Sequence, residues 1–74
     1  MRTKAEARKK PIDGETWADG RGAVYAVFNV GYQIRLELQK RGKKPWLGSN
    51  LRFMAGPTWW KWTARAEYLG GANE

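Results

Sequence analysis

The sequence predicts a small fold of the mainly β or α+β class, an antiparallel β-meander that follows a disordered basic N-terminal arm. Turn residues divide the chain into short pieces, and the pieces between them are rich in β-branched and aromatic residues. The first ten residues, "MRTKAEARKK", contain no large apolar residue after Met1. With 74 residues the chain has room for one domain, near the size at which a single hydrophobic core is marginal.

Residues 1–11 are predicted to form a flexible basic arm. The segment carries several cations against the single carboxylate of Glu6, so it cannot offset its own ordering entropy. Its Ala, Glu, Lys and Arg residues favour a helix on a partner, and Pro11 ends such a helix. The cations of the arm are candidate contacts to a partner: Arg2, Lys4, Arg8, Lys9 and Lys10.

Residues 12–71 are predicted to form one globular domain, with residues 72–74 as a frayed end. The segment 23–41 has two interpretations. Ile34, Leu36 and Leu38 alternate with polar residues, and the β-branched and aromatic residues before them favour strands. The alternative is one helix over about 23–41 packed on a small sheet, because apolar residues also recur at steps of three and four.

The stretch "GPTWWKWTARAEYLGG" is predicted to contain a strand over 58–68. In a strand, Trp60 and Trp62 point to the core with Ala64, Ala66 and Tyr68. Trp59 then points to the opposite face beside Lys61 and Arg65, where an aromatic ring between cations is a candidate contact surface. Trp17 and Trp46 stand beside turns, and we expect them to cover the ends of the sheet.

The composition points to an anionic partner. Fourteen Lys and Arg residues against seven Asp and Glu give a net charge of +7 and a pI of about 10.2. Four cations surround Gly42 at a predicted hairpin tip, where they can reach phosphates without ordering much backbone. These are Lys40, Arg41, Lys43 and Lys44.

The residue types argue against an enzyme. The sequence contains no histidine and no cysteine, so the usual general bases, thiolate nucleophiles and zinc ligands are missing. We therefore expect no catalytic residue, no metal and no cofactor. The longest apolar run, 23–28, is too short to cross a bilayer, and no secretory signal is visible, so we expect a cytoplasmic protein.

Three features describe the chain as a whole. They are the basic arm, the Trp-rich body with its "TWWKW" stretch and the lack of catalytic residues. In this general character it resembles the small bacteriophage proteins that bind host RNA polymerase. The resemblance covers the whole chain without a diagnostic motif, so no residue role is transferred from it. It implies a non-enzymatic inhibitor or modifier of transcription, which binds an acidic or apolar patch of a large partner in the bacterial host cytoplasm.

Two classes of function remain open at this point. The first is a regulatory protein that binds and modulates the transcription machinery through an acidic protein surface. The alternative is a direct nucleic-acid-binding protein of architectural, ribosomal or single-strand type, because cations beside aromatic rings suit single strands. The sequence indicates no membrane partner. It does not fix the oligomeric state, and a monomer is the expectation.

Overall fold

The computed structural model describes residues 2–41 and 51–71. Two helices and five strands occur along this part of the chain: α1 (Lys4–Lys9), β1 (Glu15–Ala18), β2 (Val24–Val30), β3 (Gln33–Lys40), β4 (Leu51–Ala55), α2 (Gly56–Arg65) and β5 (Glu67–Gly71). The strands form one sheet in the order β4-β3-β2-β1-β5, and every neighbouring pair is antiparallel. The predicted mainly β or α+β class, with an antiparallel meander, is confirmed.

The strand interpretation of the segment 23–41 is confirmed, and its helix alternative is wrong. β2 and β3 form a hairpin in which Val27 pairs with Leu36 and Phe28 pairs with Arg35. Gly31 adopts a φ of 60° in the turn between them, a conformation that glycine accepts readily. The alternation of side chains places Val27 and Leu36 in the core, which the helical spacing of the same residues does not achieve.

The strand predicted over 58–68 is wrong for most of its length, because residues 56–65 form α2. Pro57 lies in the first turn, where its missing N–H costs no hydrogen bond. Helical spacing turns Trp59 and Thr63 inward, so Trp59 is 3% exposed while Trp60 is 46% exposed. The predicted facing of these two rings is therefore reversed, whereas Trp62, Ala66 and Tyr68 keep their predicted places in or against the core.

An aromatic cluster joins α2 to one face of the sheet, here called the inner face. Trp17 of β1 is fully buried at its centre instead of covering an end of the sheet. Its ring lies 5.4 Å from that of Trp59 in an edge-to-face arrangement, 6.3 Å from Trp62 and 5.1 Å from Tyr68. Tyr25 contacts Trp62 edge-on at 5.8 Å. These rings supply the bulk that a chain of this size needs for a core.

The segment predicted as a disordered arm is ordered where the structure describes it. Thr3 and Glu6 form a reciprocal capping box at the start of α1. Ala7 is fully buried against the core, and its small side chain lets the helix approach Trp59, whose Nε1 donates to the Arg8 carbonyl oxygen at 3.0 Å. These contacts are distant in sequence, so the composition of the segment alone does not indicate this helix.

A buried carboxylate fastens the same segment to β1 and β5. Glu15, which is 3% exposed, accepts from Arg2 Nη1 at 2.7 Å and from the Ile12 backbone N–H at 2.9 Å. The hydroxyl of Tyr68 donates to its other oxygen. One carboxylate therefore ties the beginning of the described chain to the last strand. Within the described ranges 2–41 and 51–71, neither helix is long and apolar enough to cross a membrane.

Candidate anion-binding cleft

An open cleft of about 670 Å³ lies between α2 and the turn that connects β1 to β2. Arg52 of β4 and Lys61 and Arg65 of α2 line it, together with Thr58, Trp62 and Asp19. We call it the basic cleft, because three of these six side chains are cations and one is a carboxylate. Its size is typical of small-molecule sites.

The local structure explains why these cations meet. Arg52 and Met54 lie two residues apart on β4 and share the inner face, and Arg52 pairs across the sheet with buried Leu36. Lys61 and Arg65 lie four residues apart on α2 and so point from the same side of the helix. Because α2 directly follows β4, the helix folds back over the strand and brings both cations to the side of Arg52.

The carboxylate in the basic cleft is already engaged by its own turn. Asp19 Oδ1 accepts from the backbone N–H of Arg21 at 2.8 Å and from that of Ala23 at 3.0 Å. Burial raises the pKa of the neighbouring Tyr25 phenol, and the charge of Asp19 raises it further, against the opposing effect of Arg52. The phenol therefore stays protonated at neutral pH, and the cleft keeps an excess of positive charge.

Trp62 supplies an aromatic wall to the basic cleft. Its half-buried ring is held by Trp59, stacked at 6.0 Å with an angle of 26° between the planes, and by the edge of Tyr25. A ring fixed by its neighbours loses little side-chain entropy when a ligand contacts its free side. The cleft thus combines exposed cations at its rim with an aromatic surface inside that its neighbours hold in place.

The structure separates the predicted contact residues into two groups. Lys61 and Arg65 are exposed and lie together at the basic cleft. Trp59, predicted to lie between them on a contact surface, is instead buried, because helical spacing turns it toward Trp17. The side chain of a core residue cannot contact a partner, so Trp59 is withdrawn as a candidate.

Three cations of the predicted arm are occupied within the molecule. Arg2 binds Glu15, and Lys4 Nζ donates to the Ala64 carbonyl oxygen at 3.4 Å. Arg8 donates to Thr63 Oγ1 at 3.0 Å and to the carbonyl oxygen of Trp60 at 2.8 Å. These contacts give the three side chains a structural role in docking α1, whether or not a partner also touches them.

The remaining predicted cations lie away from the basic cleft or outside the described residues. Lys9 and Lys10 are exposed at the end of α1, and Lys40 and Arg41 are exposed at the end of β3. Lys43, Lys44 and Trp46 fall in the range 42–50, which lies outside the described residues. Binding by the exposed cations stays a prediction.

Sequence reasoning missed Arg52 as a member of the site and assigned Trp62 only to the core. The signal for Arg52 was available in "LRFMA": an arginine on the same parity as a buried methionine near the start of a strand indicates a cation at the border of the core. The meeting of Arg52 with Lys61 and Arg65 depends on α2, whose helical nature the strand prediction excluded.

Within 2–41 and 51–71, no group of three or more carboxylates has an arrangement that could hold a metal ion. A scan against protein-family models, a search of curated proteins and a search of solved structures each find no match to this chain. The basic cleft is therefore the feature of the described residues that points to a function.

Proposed function

We propose that the protein is a non-enzymatic binding protein that holds single-stranded nucleic acid in the basic cleft. The observation that carries the proposal is the convergence of Arg52, Lys61 and Arg65, from a strand and a helix, on one open cleft with Trp62 in its wall. Cations that follow the phosphates and a ring that stacks on a base are the two elements of single-strand recognition.

The shape of the basic cleft favours a single strand over a duplex. Trp62 is half-buried inside a concavity, where an unpaired base can reach the free side of its ring. A paired base presents only its edge to a groove and keeps its flat faces stacked in the helix. A duplex therefore contacts the rim cations alone and gains nothing from Trp62.

A second candidate is the regulator of the transcription machinery that the resemblance implies, acting on an acidic protein surface such as one of host RNA polymerase. The exposure of Lys61 and Arg65 at the rim of the basic cleft favours it, because exposed cations at a rim can also contact an acidic patch on a protein. In this case Lys61 and Arg65 contact the partner, and Trp62 does not. The two candidates share residues but differ in their ligands.

The test measures the anisotropy of a fluorescein-labelled 15-nucleotide thymidine strand over a series of salt concentrations. Three phosphate contacts predict a slope of about −2 for log affinity against log salt. Lys61→Ala or Arg65→Ala should weaken binding about five- to tenfold and make the slope shallower by about 0.7. Lys9→Ala is the matched control, because it removes an equal charge from exposed α1 outside the cleft.

Equal affinity for single strand and duplex, or equal loss in Lys9→Ala and Lys61→Ala, would contradict the nucleic-acid proposal. Binding of purified bacterial RNA polymerase in the presence of nuclease, with the same loss in Lys61→Ala, would support the second candidate instead. Trp62→Phe separates the two further. A smaller ring should weaken the single strand and leave an acidic protein surface unaffected.

A further inference from the structure

The side of the sheet that faces away from α2, here called the outer face, carries two parallel rows of side chains. In one row Phe28, Arg35 and Phe53 are direct partners across β2, β3 and β4. In the adjacent row the partners are Ala26, Glu37 and Leu51. Phe53 is 54% exposed and Leu51 is 43% exposed, so large apolar side chains of this face meet solvent. Among the described elements, neither helix covers it.

The ion pair at the centre of the outer face, between Arg35 and Glu37, is long and partly exposed. Arg35 Nη2 and Glu37 Oε2 are 3.7 Å apart, and both side chains are more than a third exposed. The guanidinium of Arg35 also lies 4.9 Å from the ring centre of Phe28. Both charged groups are therefore available to a second ligand that carries the opposite charges at the same spacing.

The charge of the outer face differs from that of the molecule. In these two rows Arg35 is balanced by Glu37, whereas the basic cleft gathers Arg52, Lys61 and Arg65 on the other side of the sheet. A nucleic acid would find no excess of cations on the outer face. A net charge of +7 opposes self-association in general, but the two rows themselves are neutral, so two copies can approach through this face.

We propose that the outer face binds a second copy of the chain in a two-fold symmetric dimer. A two-fold axis that lies between the facing sheets, parallel to them and across the strands, exchanges the two rows, so that each of these strands lies over its own counterpart in the other copy. Each Arg35 then meets the Glu37 of the other copy. Packed sheets lie about 10 Å apart, a gap that an arginine and a glutamate together can bridge.

The same symmetry pairs the apolar side chains of the two rows. It brings Phe53 of one copy over Leu51 of the other, so the two exposed apolar side chains of β4 cover each other. Phe28 meets Ala26 of the other copy, so a ring faces a small side chain. The outer face is thus complementary to itself in charge and also covers its own exposed apolar side chains.

The area of the outer face indicates how tightly the two copies should associate. Five strands at about 4.8 Å spacing give a face roughly 20 Å wide, and strands of five to eight residues give a similar length. This footprint of about 400 Å² is below that of standard specific interfaces, which bury about 800 Å² on each partner. We expect a reversible dimer with a dissociation constant of about 10–100 μM, without any requirement for nucleic acid.

The test is sedimentation velocity between about 5 and 500 μM protein, without nucleic acid. The parent chain should pass from monomer to dimer over this range, and Phe53→Asp should stay monomeric. Lys61→Glu, which changes a cation of the basic cleft on the other side, should dimerise like the parent. A monomer at every concentration, or a dimer that Phe53→Asp leaves intact, would overturn the proposal.

A charge-exchange experiment tests the symmetry itself. Arg35→Glu places two carboxylates at the centre of the outer face, and Glu37→Arg places two guanidinium groups there. Each variant alone should remain monomeric because like charges meet across the axis, whereas a mixture of the two should form a heterodimer. Thermal unfolding confirms that each variant is folded. Failure of the mixture to associate, with both variants folded and the parent dimeric, would exclude the proposed pairing.

Discussion

The guanidinium of Arg8 lies 3.7 Å over the ring of Trp60 and donates to the carbonyl oxygen of the same residue. This contact joins α1 to α2 and turns a basic segment without large apolar residues into part of the fold. The cation stacks on the one ring of the "TWWKW" stretch that is strongly exposed. The docking of α1 therefore depends on contacts of its cations as well as on the burial of Ala7.

Arg8→Ala should destabilise the domain by about 1–2 kcal/mol, because it removes a cation–π contact and two hydrogen bonds. In a domain of this size that corresponds to a fall in melting temperature of roughly 4–8 °C per kcal/mol. Lys9→Ala, one position along on the exposed side, should remain within about 0.5 kcal/mol of the parent. Thermal unfolding followed by circular dichroism measures both, and equal melting temperatures would show that α1 is a free arm.

Trp59 and Trp60 should respond to truncation in opposite ways. Trp59→Ala leaves a cavity beside Trp17 and should cost about 3–5 kcal/mol, which is close to the whole stability of a domain this small. Trp60→Ala should fold and lose mainly the contact to Arg8. Urea unfolding of the two variants distinguishes them. A folded Trp59→Ala beside an unfolded Trp60→Ala would restore the strand prediction for this segment.

Glu15 should be the most sensitive carboxylate of the described chain. Glu15→Gln removes the charge partner of Arg2 and an acceptor for Tyr68, so we expect a loss of roughly 2–3 kcal/mol. Glu67→Gln offers a matched control, because this carboxylate is exposed on β5 and should change stability by less than about 0.5 kcal/mol. Chemical denaturation curves give both values, and similar midpoints for the two variants would contradict the role of Glu15.

Acid should loosen the first part of the domain. Hydrogen bonds from the backbone and side chain of Asn29 lower the pKa of Asp13 below its ordinary value of 3.8. The folded state then binds this proton less readily than the unfolded state, so the stabilisation is complete at neutral pH. It declines as the pH falls below 3.8 and is lost once the pH falls through the lower folded-state pKa.

Glu6 contributes to the loss of stability in acid in the same way, because its hydrogen bonds with Thr3 lower its pKa from 4.5. Melting temperatures at pH 7, 5, 4 and 3 measure the combined effect. Asp13→Asn should be less stable at pH 7 and should show a shallower decline between pH 5 and 3. An unchanged decline in this variant would mean that other carboxylates produce the acid sensitivity.

Alternation in the sequence predicted β2 and β3 well, since Ile34, Leu36 and Leu38 alternate strictly with polar residues and only a strand buries all three. The same reasoning failed at α2 because Trp60 and Trp62 also stand two apart and tryptophan favours strands. Pro57 was the neglected signal, since proline in a first turn predicts the start of a helix.

The candidate site was predictable only in part, for a related reason. Lys61 and Arg65 could be identified as exposed cations from their own segment, whichever secondary structure it adopts. Arg52 joins them only when a helix folds back over β4, so its role depends on tertiary structure. The order of α1 was equally hidden, because the contact of Arg8 with Trp60 spans 52 residues and leaves no local pattern.

The pairing of β1 with β5 has a consequence for how the chain is made. Thr16 Oγ1 donates to the carbonyl oxygen of Gly70, 54 residues further along, so β1 lacks one neighbour until the last strand has left the ribosome. Trp17 and the Glu15 carboxylate stay without Tyr68 during all of that time. The nascent chain therefore cannot complete its core before β5 has emerged, and a product that ends before β5 exposes an aromatic strand that invites aggregation or proteolysis.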